Sequence, residues 1–385
     1  MKKHSTVINE NRAWAEEMLA LVDKKMSKVA VRSRGKLPDG VDEHGVHLSN
    51  HETKPNGWTT GFFGGLCAML YDYTKNEDYL KTLESNEKLL DKAFEIIDGL
   101  GHDVGFMWYP ISGAKYRITG DPKSKMRLFY AASILMGRFV PGGNFIRVWN
   151  GEGTENWTII DCLMNLPLLY WASEEFKDDR YKRVAMTHAD NTLATHIRPD
   201  GSVAHIVEHD RDTGELVKTY GGQGYAEGSS WSRGQAWAIY GYVISYIHTG
   251  EARYLDAAKR AANYFITCCA STGWLPLLDF RAPEEPVYYD STAGVCAACG
   301  FLELGRILPE NEGGIYTDAA IKILRAITEK FANFDTETDD MINGGSVAYP
   351  TAELPNRKTH ISIIYGDFFY TEALLKILGS DFFMW

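Results

Sequence analysis

Cysteine is scarce in this chain, with six residues in 385: Cys67, Cys162, Cys268, Cys269, Cys296 and Cys299. They form no spaced framework of the kind that staples small secreted domains, so a reducing cytoplasm is the expected compartment. Cys296-Ala-Ala-Cys299 has C-x-x-C spacing, but it lies in a small-residue helical stretch with no second pair and reads as packing. No apolar run is long enough to span a membrane, so no membrane partner is expected. The opening Met1-Lys-Lys-His-Ser-Thr leads into no apolar signal core. Positive charge is in deficit, with 40 Lys and Arg against 51 Asp and Glu, a formal net charge of -11. Phosphate binding needs a basic face, so nucleic acid is not an expected partner. An anionic substrate stays open, because one local Arg outweighs a diffuse negative field at contact distance. There is no Gly-x-x-x-x-Gly-Lys-Ser/Thr loop, no dinucleotide fingerprint, no Gly-x-Ser-x-Gly elbow and no His-Glu-x-x-His. No Pro/Gly/Ser linker divides the chain, so residues 1–385 read as a single domain.

What is present in quantity is aromatic: 10 Trp, 21 Tyr and 17 Phe. Most must serve a core, and flat rings also suit the C–H faces of sugars. Helical periodicity recurs through most of the chain, and the segments resemble one another. A helix rich in Gly, Ala, Trp and Leu ends in a short polar turn, and a more charged helix with an early Tyr follows. The turns before Tyr79, Tyr181, Tyr254 and, more weakly, Tyr316 are examples. The first helix of each pair, as in the runs from Gly61 and from Gly234, is apolar all round and so buried on nearly all sides. The second, as in the run from Tyr254, is amphipathic. An inner ring of helices within an outer ring satisfies both patterns, so the fold class is all-α, a toroid of five or six helical hairpins. A short β signal interrupts it at 201–207.

Two aspartates occupy matching places, Asp103 in Gly-His-Asp-Val-Gly-Phe and Asp161 at the head of an apolar run. Each can be a helix cap accepting orphan backbone N–H groups. Brought together and ringed by aromatics, they suit acid/base work on a sugar, with desolvation and a second carboxylate raising a pKa. Arg233 and Trp237 stand at i,i+4 at a helix start, where a guanidinium beside an indole can hold a carboxylate while the ring stacks on a sugar. A core Trp with a surface Arg explains the same pair. His205 and His209 are four apart, but the local pattern is strand and turn, so a hydrogen-bonding His205 is favoured over a metal pair.

Four motifs in order carry a resemblance: Asn56-Gly-Trp58-Thr-Thr-Gly-Phe-Phe, His102-Asp103-Val-Gly-Phe, Ile159-Ile-Asp161-Cys-Leu-Met-Asn-Leu-Pro and Ser229-Ser-Trp231-Ser-Arg233-Gly-Gln-Ala-Trp237-Ala. Together they resemble glycoside hydrolase family 88, the unsaturated glucuronyl hydrolases, and the likeness runs on to Ile363-Ile-Tyr365-Gly-Asp-Phe-Phe-Tyr. The resemblance implies an (α/α)6 barrel. It also implies release of a 4,5-unsaturated uronic acid from the non-reducing end of lyase-made oligosaccharides, by hydration of the C4=C5 vinyl ether. On it, Asp161 is the general acid/base and Asp103 the second essential aspartate. Trp58 and Trp237 are stacking positions, with Trp231 in the same motif on the substrate side. His102, His205, Gln223 and Arg233 are polar contacts, and Arg233 is the physical candidate for the uronate carboxylate. The partner is a small-molecule sugar, glycosaminoglycan-type disaccharides first, and no metal or organic cofactor is implied. Members favouring sulfated disaccharides carry Ser-x-x-Ser-x-Lys near the C-terminus. This chain has the stretch from Thr351 to Ser362 instead, with Arg357 and Lys358 as its basic residues. The rival readings are an unsaturated rhamnogalacturonyl hydrolase, a non-catalytic sugar-binding toroid and an α/α-toroid epimerase, which calls for paired histidines.

Overall fold

The computed structural model describes residues 6–49 and 52–385. Residues 1–5, the start of the stretch read above for a signal sequence, lie outside it. Thirteen α-helices are described: α1 (Thr6–Arg32), α2 (Phe62–Thr74), α3 (Glu77–Leu90), α4 (Val104–Trp108), α5 (Ala114–Thr119), α6 (Pro122–Met136), α7 (Pro167–Phe176), α8 (Asp179–Thr195), α9 (Ser232–Thr249), α10 (Ala252–Ala270), α11 (Ser291–Ile307), α12 (Glu310–Phe331) and α13 (Ile364–Leu378). A π-helical turn, Tyr109–Gly113, joins α4 to α5 as one continuous inner segment.

The inner segments are α2, α4–α5, α7, α9, α11 and α13. Each touches the next, α5 meeting α7 through Tyr116, which donates to Glu175 at 3.0 Å and packs edge-on to Trp171, and α13 returns to α2 and closes the ring. The outer helices α1, α3, α6, α8, α10 and α12 alternate with them along the chain. The fold is an (α/α)6 barrel, as expected. Composition explains the layering, since α9 is buried without interruption from Ser232 to Ser245 and α11 from Ser291 to Leu304. Outer α10, by contrast, buries one stripe: Tyr254, Ala257, Ala258, Ala261, Ala262, Phe265 and Cys269.

The repeated polar turn now has a cause. Lys75, Gly120, Lys177 and Gly250 end their inner helices in the left-handed region. Asn76, Asp121 and Asp178 then cap the following outer helices with their side chains, satisfying N–H groups the first turn leaves open. The early Tyr of an outer helix ties it to a neighbouring one. Tyr79 donates to Asp23 Oδ1 on α1 at 2.7 Å, Tyr254 to Asp190 Oδ1 on α8 at 3.0 Å and Tyr316 to Asn263 Oδ1 on α10 at 3.1 Å.

Connections differ sharply at the two ends. Inner-to-outer turns take two residues each, whereas the outer-to-inner connections are long, as in 137–166, 196–231 and 332–363. The long loops gather at the N-terminal ends of the inner helices and build one mouth, where most of the expected site residues sit. The β signal at 201–207 resolves into a bridge from Val203 to Ile197 and a strand Ile206–His209. That strand is the middle one of an antiparallel sheet with Trp157–Ile159 and Leu216–Tyr220. No helix among the described residues is long and apolar enough to cross a membrane.

Candidate active site

Neither aspartate caps a helix. Asp103 precedes α4, yet its side chain makes no capping bond. The open Phe106 N–H instead donates to Asn165 Oδ1 at 2.7 Å, and Asn165 Nδ2 donates to Asp161 O at 3.2 Å. Asn165 thus joins the two aspartate segments and takes over the capping. Gly105 permits the approach, because a Cβ there would lie 2.6 Å from Asn165 Cα. Asp161 lies in a 3-10 turn, Ile160–Met164, and its Oδ1 is buried with no hydrogen bond from the protein. The aspartate side chains keep 24% and 14% of their surface exposed, Asp103 and Asp161 respectively. Both carboxylates stay open to a ligand in the mouth.

Each carboxylate faces a histidine whose tautomer follows from its other nitrogen. His205 Nδ1 lies 3.0 Å from the Gln223 N–H and 3.3 Å from Gly221 O; the shorter contact makes Nδ1 the acceptor, so the neutral ring carries its proton on Nε2. That Nε2 stands 3.5 Å from Asp161 Oδ1. His102 Nδ1 meets Val148 O at 3.2 Å, and a carbonyl only accepts, so Nδ1 carries the proton. His102 Nε2 lies 3.1 Å from Asp103 Oδ1, without the alignment of a hydrogen bond. A bond there takes one further proton, held by either the imidazole or the carboxyl. Burial raises the pKa of Asp103, His102 opposes the rise and the charge of Asp161 adds to it.

The local fold sets these distances. Ile160 N donates to His205 O at 3.0 Å, so pairing of Trp157–Ile159 with Ile206–His209 delivers Asp161 and His205 side by side. His209 is turned elsewhere, with Nε2 2.6 Å from Thr158 Oγ1 and Nδ1 donating to Gly214 O at 3.0 Å. Among the described residues no group of three or more His, Cys, Asp or Glu is placed to hold a metal ion.

Of the three indoles expected against substrate, only Trp58 is half-buried; Trp231 and Trp237 are buried. Trp58 packs on Tyr365 at 4.8 Å and edge-on to Trp237 at 6.5 Å between ring centroids. Trp231 lies against His205 at 4.2 Å. Arg233 differs most from expectation. It is 1% exposed, and Nη1 donates to Asp290 Oδ2 at 2.5 Å and Ser346 O at 2.6 Å, with Nη2 to Val347 O at 2.8 Å. Its guanidinium also lies over the rings of Trp231 and Tyr365 at 4.4 and 5.5 Å. The side chain expected to receive a uronate carboxylate is committed to Asp290 and a rim loop. Gln223 ties into the same loop, its Nε2 donating to Val347 O at 2.6 Å and its carbonyl accepting from Tyr349 N at 2.8 Å. Arg357 Nη1 donates to Tyr349 O and Gly222 O at 3.1 and 3.3 Å.

Asn165, Asp290 and Tyr365 were not singled out from sequence. Asp290 carries a visible cap signal in Asp-Ser-Thr-Ala, and its side chain does accept from Thr292 N. Nothing local announces that its other oxygen pairs with Arg233.

The sequence matches the Glycosyl Hydrolase Family 88 model over residues 29–269. It is 36% identical to the unsaturated glucuronyl hydrolase of Bacillus sp. (strain GL1), over 89% of this chain and 91% of that protein. It is 31% identical to the unsaturated chondroitin disaccharide hydrolase of Streptococcus pneumoniae, over 83% of this chain and 81% of that one. The crystal structure of the Bacillus sp. GL1 enzyme, described as responsible for the degradation of glycosaminoglycan, superposes with a TM-score of 0.82 at 32% identity, covering 92% of this chain and 96% of that one. An unsaturated glucuronyl hydrolase specific for heparin superposes with a TM-score of 0.86 at 28% identity, covering 95% and 97%. With the barrel and its paired carboxylates, these matches establish that the chain belongs to Glycosyl Hydrolase Family 88 and is a glycoside hydrolase.

Proposed function

We propose that this enzyme releases a 4,5-unsaturated uronic acid from the non-reducing end of lyase-generated, glycosaminoglycan-type oligosaccharides by hydrating the C4=C5 vinyl ether. The observation that carries the reading is the pair Asp103 and Asp161. Neither caps a helix, each faces its own histidine, and Asn165 joins their segments at one barrel mouth. Relatives named for unsaturated glucuronyl and chondroitin disaccharide substrates support it.

Asp161 in its acid form delivers a proton to C4, and positive charge develops at C5, shared with the ring oxygen. The resulting carboxylate takes a proton from water as that water adds to C5. The hemiketal then opens to a keto acid and the remaining sugar leaves. The His205 Nε2–H beside Asp161 Oδ1 steadies the carboxylate formed in the first step. Asp103 and His102 face ring hydroxyls, and Trp58 offers the half-buried ring on which a sugar face packs. Arg233 acts indirectly, by holding the rim loop and Trp231 in place.

The vinyl ether absorbs at the ultraviolet edge, and hydration abolishes the absorbance. Unsaturated chondroitin or hyaluronan disaccharides lose the signal with wild-type enzyme and keep it with Asp161→Asn. A panel of unsaturated disaccharides, pectin-derived ones included, that shows no decay defeats the reading.

A further inference from the structure

Asp103 and Asp161 stand at the heads of two different inner segments, so the gap between them is set by whatever spans both. Asn165 does so with a fully buried side chain. Its Oδ1 accepts the Phe106 N–H at 2.7 Å, in the turn that follows Asp103, and its Nδ2 donates to the Asp161 carbonyl at 3.2 Å. Neither partner can reverse its role, since a backbone N–H only donates and a carbonyl only accepts. The position therefore requires one acceptor and one donor on the same short side chain, which a carboxamide supplies. The Asn165 backbone N–H donates to Cys162 O at 2.9 Å and closes the 3-10 turn that carries Asp161.

Length is fixed as tightly as polarity. A Cβ on Gly105 would lie 2.6 Å from both Cα and Oδ1 of Asn165, so the two segments meet there at closest approach. The turn held in this way also carries the aromatic wall beside Trp58. Met107 N donates to Asp103 O at 3.0 Å, and the Phe106 ring lies 5.5 Å from Trp58 and 5.1 Å from Trp237 between centroids. Without the carboxamide, a buried N–H and a carbonyl lose their partners, and α4 is free to shift against the Asp161 turn.

We propose that Asn165 is a positioning residue of the hydration reaction: its carboxamide holds the first turn of α4 against the Asp161 main chain and so sets the separation of the two carboxylates that face the substrate. The inference rests on the function proposed above and adds to it a side chain that touches neither the sugar nor the transferred proton.

The test is the kinetics of two variants on an unsaturated chondroitin disaccharide across the pH range of wild-type activity, per folded molecule as counted by near-ultraviolet circular dichroism. Asn165→Leu keeps the branched shape and makes neither bond, so kcat falls about 100-fold, the scale of a 1 Å misplacement, with KM within about twofold of wild type. Asn165→Asp, when ionised, still accepts from Phe106 but turns an oxygen toward the Asp161 carbonyl. When protonated, the new carboxyl again offers one donor and one acceptor, and burial raises the pH at which it gains that proton. Its kcat relative to wild type therefore recovers as pH falls, whereas that of Asn165→Leu stays low at every pH. A merely structural Asn165 lowers the denaturation midpoint in both variants and leaves kcat per folded molecule at the wild-type value, and that result overturns the inference. A relative kcat of Asn165→Asp that does not change with pH overturns it too, and this measurement decides alone if Asn165→Leu does not fold. Inactivity of the wild type on every unsaturated disaccharide defeats the proposed function itself. An active wild type with unaltered kcat in the variants defeats only the role of Asn165.

Discussion

Gly222 leaves room for the Nδ1 edge of His205: a Cβ at this position would come within 2.2 Å of that nitrogen. Its φ of +60° lies in the left-handed region, which glycine tolerates. The Gln223 N–H that follows is the donor fixing the His205 tautomer. Gly222→Ala is expected to push His205 off Asp161 and lower kcat/KM on the order of 100-fold, the scale of a 1 Å misplacement. The backbone conformation itself adds a stability cost of about 1–2 kcal/mol. Steady-state kinetics and urea denaturation separate the two effects, and unchanged kcat/KM would show that the His205 contact is dispensable.

The Arg233–Asp290 pair is buried on both sides, with 1% and 0% of the side-chain surface exposed. Removing one member leaves an uncompensated interior charge, which costs about 3–5 kcal/mol. Asp290→Ala is therefore expected to lower the denaturation midpoint strongly and to weaken activity through the loosened 346–347 loop. A variant with raised KM and unaltered stability would mean that Arg233 serves substrate more than the loop.

Trp58 and Trp237 touch each other but stand in different surroundings. Trp58→Ala is expected to raise KM with a modest stability change, because its half-buried ring faces the mouth. Trp237→Ala removes a fully buried indole among Phe106, Tyr365 and Phe369 and costs about 3–5 kcal/mol. Denaturation curves and KM values for both variants check the contrast. Equal stability losses would contradict it.

Much of this arrangement was legible in the sequence, for identifiable reasons. The two-layer barrel followed from periodicity, since an all-round apolar helix such as α9 must be inner and a striped one such as α10 outer. The turns followed from their capping residues and early tyrosines. The two aspartates stood out by their neighbours. What stayed hidden depends on partners far apart in the chain. Asn165 has an unremarkable local setting, and its capping of α4 exists only after folding. Arg233 and Trp237 do share a helix start, but the packing of α11 and the 346–347 loop decides that both are interior. The strand overlaps the β signal only at Ile206 and Val207 and runs on to His209, because strand ends depend on pairing with Trp157–Ile159 rather than on local preference.

Asp367, in the first turn of α13, gives a pH signature of stability. Its Oδ1 accepts from Ile342 N at 2.7 Å, while its buried Oδ2 has no partner. Burial pushes its pKa up to about 8 from the ordinary carboxylate value of 3.8. Between those values the folded protein holds a proton that the unfolded chain has lost, so this group's contribution to stability falls as pH rises through that range and levels off above about 8. Asp367→Asn keeps an acceptor for Ile342 and carries no charge, so it is expected to be more stable than wild type at pH 9 and to flatten the decline. Urea denaturation at pH 5, 7 and 9 measures it. A variant destabilised most at pH 9 would reverse the assignment.

Asp161 is proposed to protonate C4 of a vinyl ether instead of assisting attack at the anomeric carbon. Incubation with an unsaturated chondroitin disaccharide in D2O, recording ultraviolet absorbance and sugar release together and locating deuterium by NMR, tests it most directly. With wild type the expected outcome is absorbance lost in step with release and deuterium at C4 of the keto acid, and with Asp161→Asn neither event. Release of a uronic acid that retains its absorbance, with no deuterium at C4, would contradict it.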